Sequence, residues 1–182
     1  MPVSSVAMRP FFIWGVKMEI RYAEITDLDA VSAVEAECFP PEEAATRGNL
    51  ETRLKYYPQH FWLLFDGEKL VSFVDGMVTD RSELTDDLYE DALLHDEKGA
   101  WQMIFGVNTI PAYRRKGCAA MLLRRAVEDA KAQGRKGLVL TCKDRLLHYY
   151  EKFGFVSEGV SESVHGGAVW YKMRLTFDGA AK

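Results

Sequence analysis

The chain has 182 residues, with 23 Lys and Arg against 27 Asp and Glu, a formal net charge of −4. That balance excludes general electrostatic binding of nucleic acid. The length supports one domain with a sizeable core, and 48% hydrophobic and 27% charged residues describe an ordinary globular chain. Apolar runs are too short to span a bilayer. Cys38, Cys118 and Cys142 are odd in number and widely spaced, with no metal-ligand pattern. They read as free thiols of a reducing, cytoplasmic compartment with no metal site.

Residues 1–17 are expected to form an N-terminal extension, because the first alternating strand pattern is residues 18–22 (MEIRY). Thr26 or Asp27 can cap a helix running to Cys38, its face given by Leu28, Val31 and Val34 or Glu35. Cys38-Phe39-Pro40-Pro41 ends it, and Pro41 suits the first turn of a second helix over residues 42–57. Residues 61–65 and 70–78 read as apolar strands joined by Asp66-Gly67-Glu68-Lys69. Residues 80–98 are strongly acidic but carry Leu84, Leu88, Leu93 and Leu94, which predict short helical pieces. Their carboxylates read either as a solvated surface or as an attractor of cationic amines.

Residues 101–107 read as a buried strand. Apolar residues at 119, 122, 123, 126, 127 and 130 paint one face of a helix that Gly134 closes. A strand over 138–142, a helix capped by Asp144 with Leu146, Tyr149, Tyr150 and Phe153 on its face, and strands from 155 and over 169–175 complete the chain. Residues 177–182 read as a tail. This order predicts an α/β (α+β) fold, a central sheet covered by helices.

Between the central strand and the long helix runs Arg114-Arg115-Lys116-Gly117-Cys118-Ala119-Ala120. A helix start offers unpaired N–H groups and the positive end of a dipole. Gly117 lets the backbone approach a ligand, so the turn suits an anion, a pyrophosphate above all. It matches neither G-x-x-x-x-G-K-[ST] nor G-x-G-x-x-G. By itself the stretch equally describes a helix start with solvated basic residues.

The pattern Arg114-x-x-Gly117-x-Ala119 resembles the acetyl-CoA pyrophosphate loop of the GNAT N-acetyltransferase superfamily, and Tyr149-Tyr150-Glu151-Lys152-Phe153-Gly154-Phe155 resembles that superfamily's F-Y-x-x-x-G-F segment. One helix and one strand separate the two, as in the family. With Asp80-Arg81-Ser82-Glu83-Leu84-Thr85, Leu140-Thr141-Cys142-Lys143-Asp144 and Glu37-Cys38-Phe39-Pro40-Pro41-Glu42-Glu43-Ala44, the chain resembles the serotonin (arylalkylamine) N-acetyltransferase branch.

The resemblance, which covers residues 18–175, implies a GNAT domain over residues 18–176 with a mixed, mostly antiparallel sheet and acetyl-CoA as cosubstrate. It implies that backbone groups of Val107, Asn108 and Thr109 pair with the pantetheine arm. Backbone N–H groups of Arg115, Lys116, Gly117, Cys118, Ala119 and Ala120 would hold the pyrophosphate. Tyr150 would protonate the departing thiolate, a task that suits a neutral phenol; without the family segment, Tyr150 would read as a core tyrosine.

The chain departs from the branch on the central strand. Met103 and Phe105 stand where the vertebrate enzymes carry a His-x-His pair, and neither can take a proton. Glu37, Asp80, Glu83, His95 and water are the alternatives for the amine proton. The acceptor reads as a small aryl- or alkylamine, with a protein N-terminus or lysine as the second enzymatic reading. A non-catalytic acyl-CoA sensor or scaffold is the reading from another class. Nothing in the sequence chooses between a monomer and a homodimer.

Overall fold

The computed structural model describes residues 11–13 and 15–179. Residues 1–10 and 180–182, parts of the expected extension and tail, lie outside the described residues. The elements, in order, are β1 (Phe11–Ile13), β2 (Val16–Tyr22), α1 (Leu28–Cys38), α2 (Arg47–Tyr56), β3 (Phe61–Asp66), β4 (Lys69–Thr79) and α3 (Asp86–Glu90). They continue with β5 (Trp101–Thr109), α4 (Cys118–Ala132), β6 (Gly137–Cys142), α5 (Leu147–Glu151), β7 (Val156–Val160) and β8 (Tyr171–Thr176).

One sheet takes all the strands in the order β1-β2-β3-β4-β5-β6-β8-β7. Every neighbouring pair is antiparallel except β5 and β6, so the expected mixed, mostly antiparallel sheet is the observed one. Residues 11–13 pair with β2, so part of the segment read as an extension forms a sheet edge.

β4 is buried from Leu70 to Thr79 without alternation, the mark of a strand covered on both faces. Helix α1 packs over β4 and β5 with α2 against it, and α4 crosses β3 to β6. The face of α4 is the predicted one: Leu122, Leu123, Ala126 and Ala130 are buried with Cys118. Each leucine removed from water there contributes roughly 1.5–3 kcal/mol.

Three local expectations are corrected. Residues 41–46 are not helical; α2 starts only at Arg47, where the Thr46 side chain accepts from the Asn49 N–H. The proline-rich turn before it is spent instead on lining a cavity. Asp27 does not cap α1 with its side chain; its carboxylate takes the Glu24 N–H and the Arg21 guanidinium. Asp144 bonds the adjacent Arg145 N–H rather than capping, and a 3-10 turn precedes α5.

The sheet breaks at one place. β5 pairs with β6 from Trp101↔Gly137 to Ile104↔Leu140 and then parts from it. At the same level the β4–β5 register shifts: Gly76 faces Ile104 but Asp75 faces Gly106, leaving Phe105 as the extra residue of a bulge.

Candidate active site

Into this break opens a cavity of about 460 Å³. Its walls come from α1, the 39–46 turn, β4, β5, β6, α5 and the β7–β8 connection.

The candidate cofactor side follows from strand alternation. Side by side on β5, Asn108 turns its carbonyl toward β4, where the Ser72 hydroxyl donates to it at 2.5 Å. Its neighbours therefore present their backbone groups to the gap. At Thr109 these groups are engaged, the carbonyl by Arg114 Nε at 2.9 Å and the N–H by the Cys38 thiol. Val107 offers the same edge one step further in. Of the three residues expected to pair with a pantetheine arm, Val107 and Thr109 face the gap and Asn108 does not.

The turn after β5 ends in two left-handed residues, Arg115 (φ 61°) and Gly117 (φ 83°), and Gly117 is the N-cap of α4. Only glycine adopts that conformation freely, and a non-glycine residue there marks local strain. A Cβ added at Gly117 would meet nothing within 4 Å, so the backbone is open to the outside. Arg115 and Lys116 are exposed around it. The structure thus brings residues 115–120 together as a bare, N-terminal helix end without a side-chain cap.

Tyr150 is 6% exposed, on the side of α5 that faces the cavity. Tyr149 and Phe155 hold its ring edge-on, with centroids 5.2 and 6.0 Å away. Burial, with Cys142 and Tyr149 beside it, raises its phenol well above the ordinary value, so it stays a neutral donor at working pH.

The residues expected to take the amine proton are elsewhere. Glu37 is exposed, Asp80 accepts the Ala100 N–H at 3.0 Å, and Glu83 is paired with Lys172 and Arg174. His95 accepts the Val78 N–H on Nδ1 at 3.1 Å and faces Glu97 with Nε2. None of the four lines the cavity.

Glu35 does. It is 5% exposed on α1, and its Oε1 accepts the Ala45 N–H at 2.9 Å. Burial first and the neighbouring Asp75 second push its carboxyl up to about 7. Arg53 of α2 holds Asp75 at 3.1 Å, donates to the Tyr89 carbonyl at 2.6 Å, and lies 4.8 Å over the Phe105 ring. A buried carboxyl poised near neutrality is a proton acceptor in waiting.

An aromatic wall stands opposite. Tyr89 stacks on His165 at 5.4 Å and 9°, and touches Phe105 at 4.7 Å. His165 Nε2 donates to the Glu43 carbonyl, and Trp170 Nε1 to the His165 carbonyl, each at 2.8 Å. The acidic segment fixes this wall rather than lying free. Asp86 accepts from the Ser163 hydroxyl (2.5 Å) and the Val164 N–H (3.2 Å), and Asp87 pairs with Arg81 at 2.6 Å.

The sequence held signals for the missed residues. Glu35 is a carboxylate on the apolar stripe of α1, and Asp75 interrupts an otherwise apolar strand. Tyr89 sits in the five-residue α3 and His165 and Trp170 in the β7–β8 connection, too short or too irregular for periodicity to mark them.

A second polar group, His60, His95 and Glu97, gathers its ligand atoms within 4.8 Å, away from the cavity. Burial opposes ionisation of Glu97, but bonds from His60 and Gln59 with the Arg135 charge hold it down at about 2. The Val78 N–H occupies His95 Nδ1, which leaves the Nε2 hydrogen for Glu97. That polarity suits a proton-held cluster better than a cation, because a ligating imidazole donates its other N–H outward.

Residues 28–155 match the model of the acetyltransferase (GNAT) family. The chain belongs to the acetyltransferase (GNAT) family. Among curated proteins, serotonin N-acetyltransferase of Mesocricetus auratus is 31% identical over 113 residues, 62% of this chain and 53% of that protein. The chain thus spans about half the length of that relative. Among solved structures, the loading GNATL domain of CurA from Lyngbya majuscula superposes with a TM-score of 0.75 at 17% identity, over 87% of this chain and 97% of that one. A GNAT-like decarboxylase, GphF, in complex with isobutyryl-CoA, gives 0.74 at 23% identity, over 87% and 98%. At those identities the likeness is one of fold. Within this GNAT chain the break between β5 and β6, the glycine turn and Tyr150 fall inside the matched residues. No helix among the described residues is long and apolar enough to cross a membrane.

Proposed function

We propose that the protein is an acetyl-CoA-dependent N-acetyltransferase acting on a small primary amine with an aromatic body. The observation that carries this reading is the cavity itself. It joins a neutral phenol, Tyr150, and a carboxyl with a value of about 7, Glu35, at the break where β5 leaves β6.

Family membership and the acyl-CoA held by a structural neighbour support the cosubstrate. The open helix end at residues 115–120 would take its pyrophosphate on backbone N–H groups. The edge at Val107, extended to Thr109 once Arg114 and Cys38 give way, would take the pantetheine amides as an added strand. Tyr89, Phe105, His165 and Trp170 offer flat apolar faces to an aryl group, while Glu35 awaits the ammonium.

In the reaction Glu35 takes a proton from the bound ammonium, freeing the nitrogen lone pair. The nitrogen attacks the thioester carbonyl, the C–N bond forms and charge gathers on oxygen, where strand N–H groups such as Val107 can receive it. The C–S bond then breaks, the sulfur leaves with the electron pair and takes a proton from Tyr150, while the nitrogen, cationic since the attack, gives its second proton to solvent as the amide forms. Solvent returns Glu35 and Tyr150 to their starting states. Two reactants held together account for much of the acceleration.

The test is CoA release from acetyl-CoA in the presence of arylalkylamines, alkylamines, and peptides with free N-termini or lysines. Turnover should be fastest with arylalkylamines such as 2-phenylethylamine. Peptides turning over faster would move the acceptor to a protein terminus or lysine. Binding of acetyl-CoA without turnover on any amine would make the chain a sensor.

A further inference from the structure

Glu35 does not stand alone. Asp75 is 1% exposed on β4, at the residue where the β4–β5 register shifts. Opposite it, Gly106 has no side chain. A Cβ there would fall 2.8 Å from Asp75 Oδ1, 2.8 Å from Asn108 Nδ2 and 3.8 Å from Glu35 Oε2. The bulge and the glycine let groups from three elements converge on one point.

We propose that Asp75 is a positioning residue that holds a second, permanent negative charge beside Glu35 and so sets the pH at which Glu35 becomes a proton acceptor. This rests on the reading of Glu35 as the acceptor of the amine proton.

Burial raises the Asp75 carboxyl above its ordinary value, and two contacts oppose that rise: Arg53 Nη1 lies 3.1 Å from its Oδ2, and the Gly106 N–H donates to it. Its partner is divided: Arg53 also gives a hydrogen bond to the Tyr89 carbonyl and leans on the Phe105 ring. Asp75 therefore keeps a net influence on its neighbour. Around the Glu35 carboxyl stand Asp75 from β4, Arg53 from α2, the Asn108 amide from β5 and the Ala45 N–H from the turn before α2. Cys38 follows one turn later on its own helix. Only Asp75 adds negative charge; the others favour the carboxylate, and after burial Asp75 is the strongest influence. Two carboxylates at one site cannot ionise independently, and the less paired one yields. Arg53 marks Asp75 as the one that stays ionised.

Carboxyl ¹³C NMR titrations test this, with resonances assigned by Glu35→Gln and Asp75→Asn. In the wild type, Glu35 should titrate at about 7 while Asp75 remains ionised through that range. In Asp75→Asn the Glu35 midpoint should fall by roughly one pH unit or more, because a like charge is gone and Arg53 is released. An unmoved midpoint overturns the proposal. If Asp75→Asn does not fold, the wild-type spectrum decides, since an Asp75 carboxyl protonated at pH 7 exerts no charge. The parent reading is tested apart, by kcat/KM against pH for acetyl transfer to 2-phenylethylamine. Glu35→Gln should abolish the acidic limb. A Glu35→Gln protein with wild-type rate and limb removes Glu35 from the reaction, whatever the NMR shows of Asp75.

Discussion

Replacing Glu35 with glutamine should slow the enzyme and, at neutral and higher pH, stabilise it. Glutamine keeps the shape and the acceptor for the Ala45 N–H, and its amide can donate toward Asp75 or Asn108. What disappears is the cost of ionising a buried group. In the folded protein the carboxyl sits at about 7 against an ordinary 4.5. Between those values the unfolded chain has already lost its proton while the native state keeps it. Stability from this group is therefore complete below pH 4.5 and lost as pH rises through about 7. The gap corresponds to roughly 3 kcal/mol, a large share of the margin of most domains. Urea denaturation of both proteins at pH 4 and pH 8 reads it directly. The glutamine protein should gain on the wild type at pH 8 and not at pH 4, while turnover falls roughly 10²- to 10⁴-fold. A wild type that holds its relative stability across that range would mean Glu35 ionises as an ordinary surface carboxyl, and the argument for it as the base would fail with it.

Other expectations follow from single contacts. Tyr150→Phe keeps the edge-on packing with Tyr149 and Phe155, so melting should change little while kcat drops roughly 10²-fold or more; a thioester with a more acidic thiol should recover much of the loss, and an unchanged rate when chemistry limits would clear Tyr150 of the acid role. Gly117→Val places a branched side chain at φ 83°, a strained conformation despite the open space around it, so it should cost fold stability as well as CoA affinity. Calorimetry should rank it well below Arg115→Ala in affinity, and equal, near wild-type binding in both would refute the backbone cradle. Asp86→Ala cuts two bonds to the β7–β8 connection and should raise KM for arylalkylamines several-fold, whereas Asp87→Ala, which loses only Arg81 and Thr85, should not. Equal KM values in the two would separate the aromatic wall from acceptor binding.

The regular parts of this molecule were legible because their physics is local. Leu122, Leu123, Ala126 and Ala130 recur at helical spacing and bury one face; Phe61 to Phe65 and Leu70 to Val78 are long enough apolar runs to be nothing but strands. The geometry of the glycine turn was legible for the same reason, since strand, basic glycine turn and helix are contiguous. The proposed proton acceptor was not. Glu35 shares its helix with exposed Glu37, and only burial, which tertiary packing decides, separates a carboxyl near neutrality from a solvated one. The acidic segment read either as a solvated surface or as a field for cations; Asp80, Glu83, Asp86 and Asp87 are each bound to a partner within the chain. Composition records how many charges there are and not which are already answered.

One irregularity serves both halves of the proposed reaction. Up to Ile104, β5 is bonded on both edges; beyond it, β6 departs and the bulge at Phe105 resets the register to β4. The departure leaves the outer edge of β5 at Val107 without a neighbouring strand. The bulge brings Gly106 opposite Asp75, where the missing side chain admits Asp75, Asn108 and Glu35 together. On the proposed reading, the cofactor edge at Val107 follows directly on Gly106, whose missing side chain opens the pocket toward Glu35. On the same reading, Met103 and Phe105 stand in place of a histidine pair without emptying the site of a base, because Glu35 enters from α1, across the strand, rather than from the strand itself.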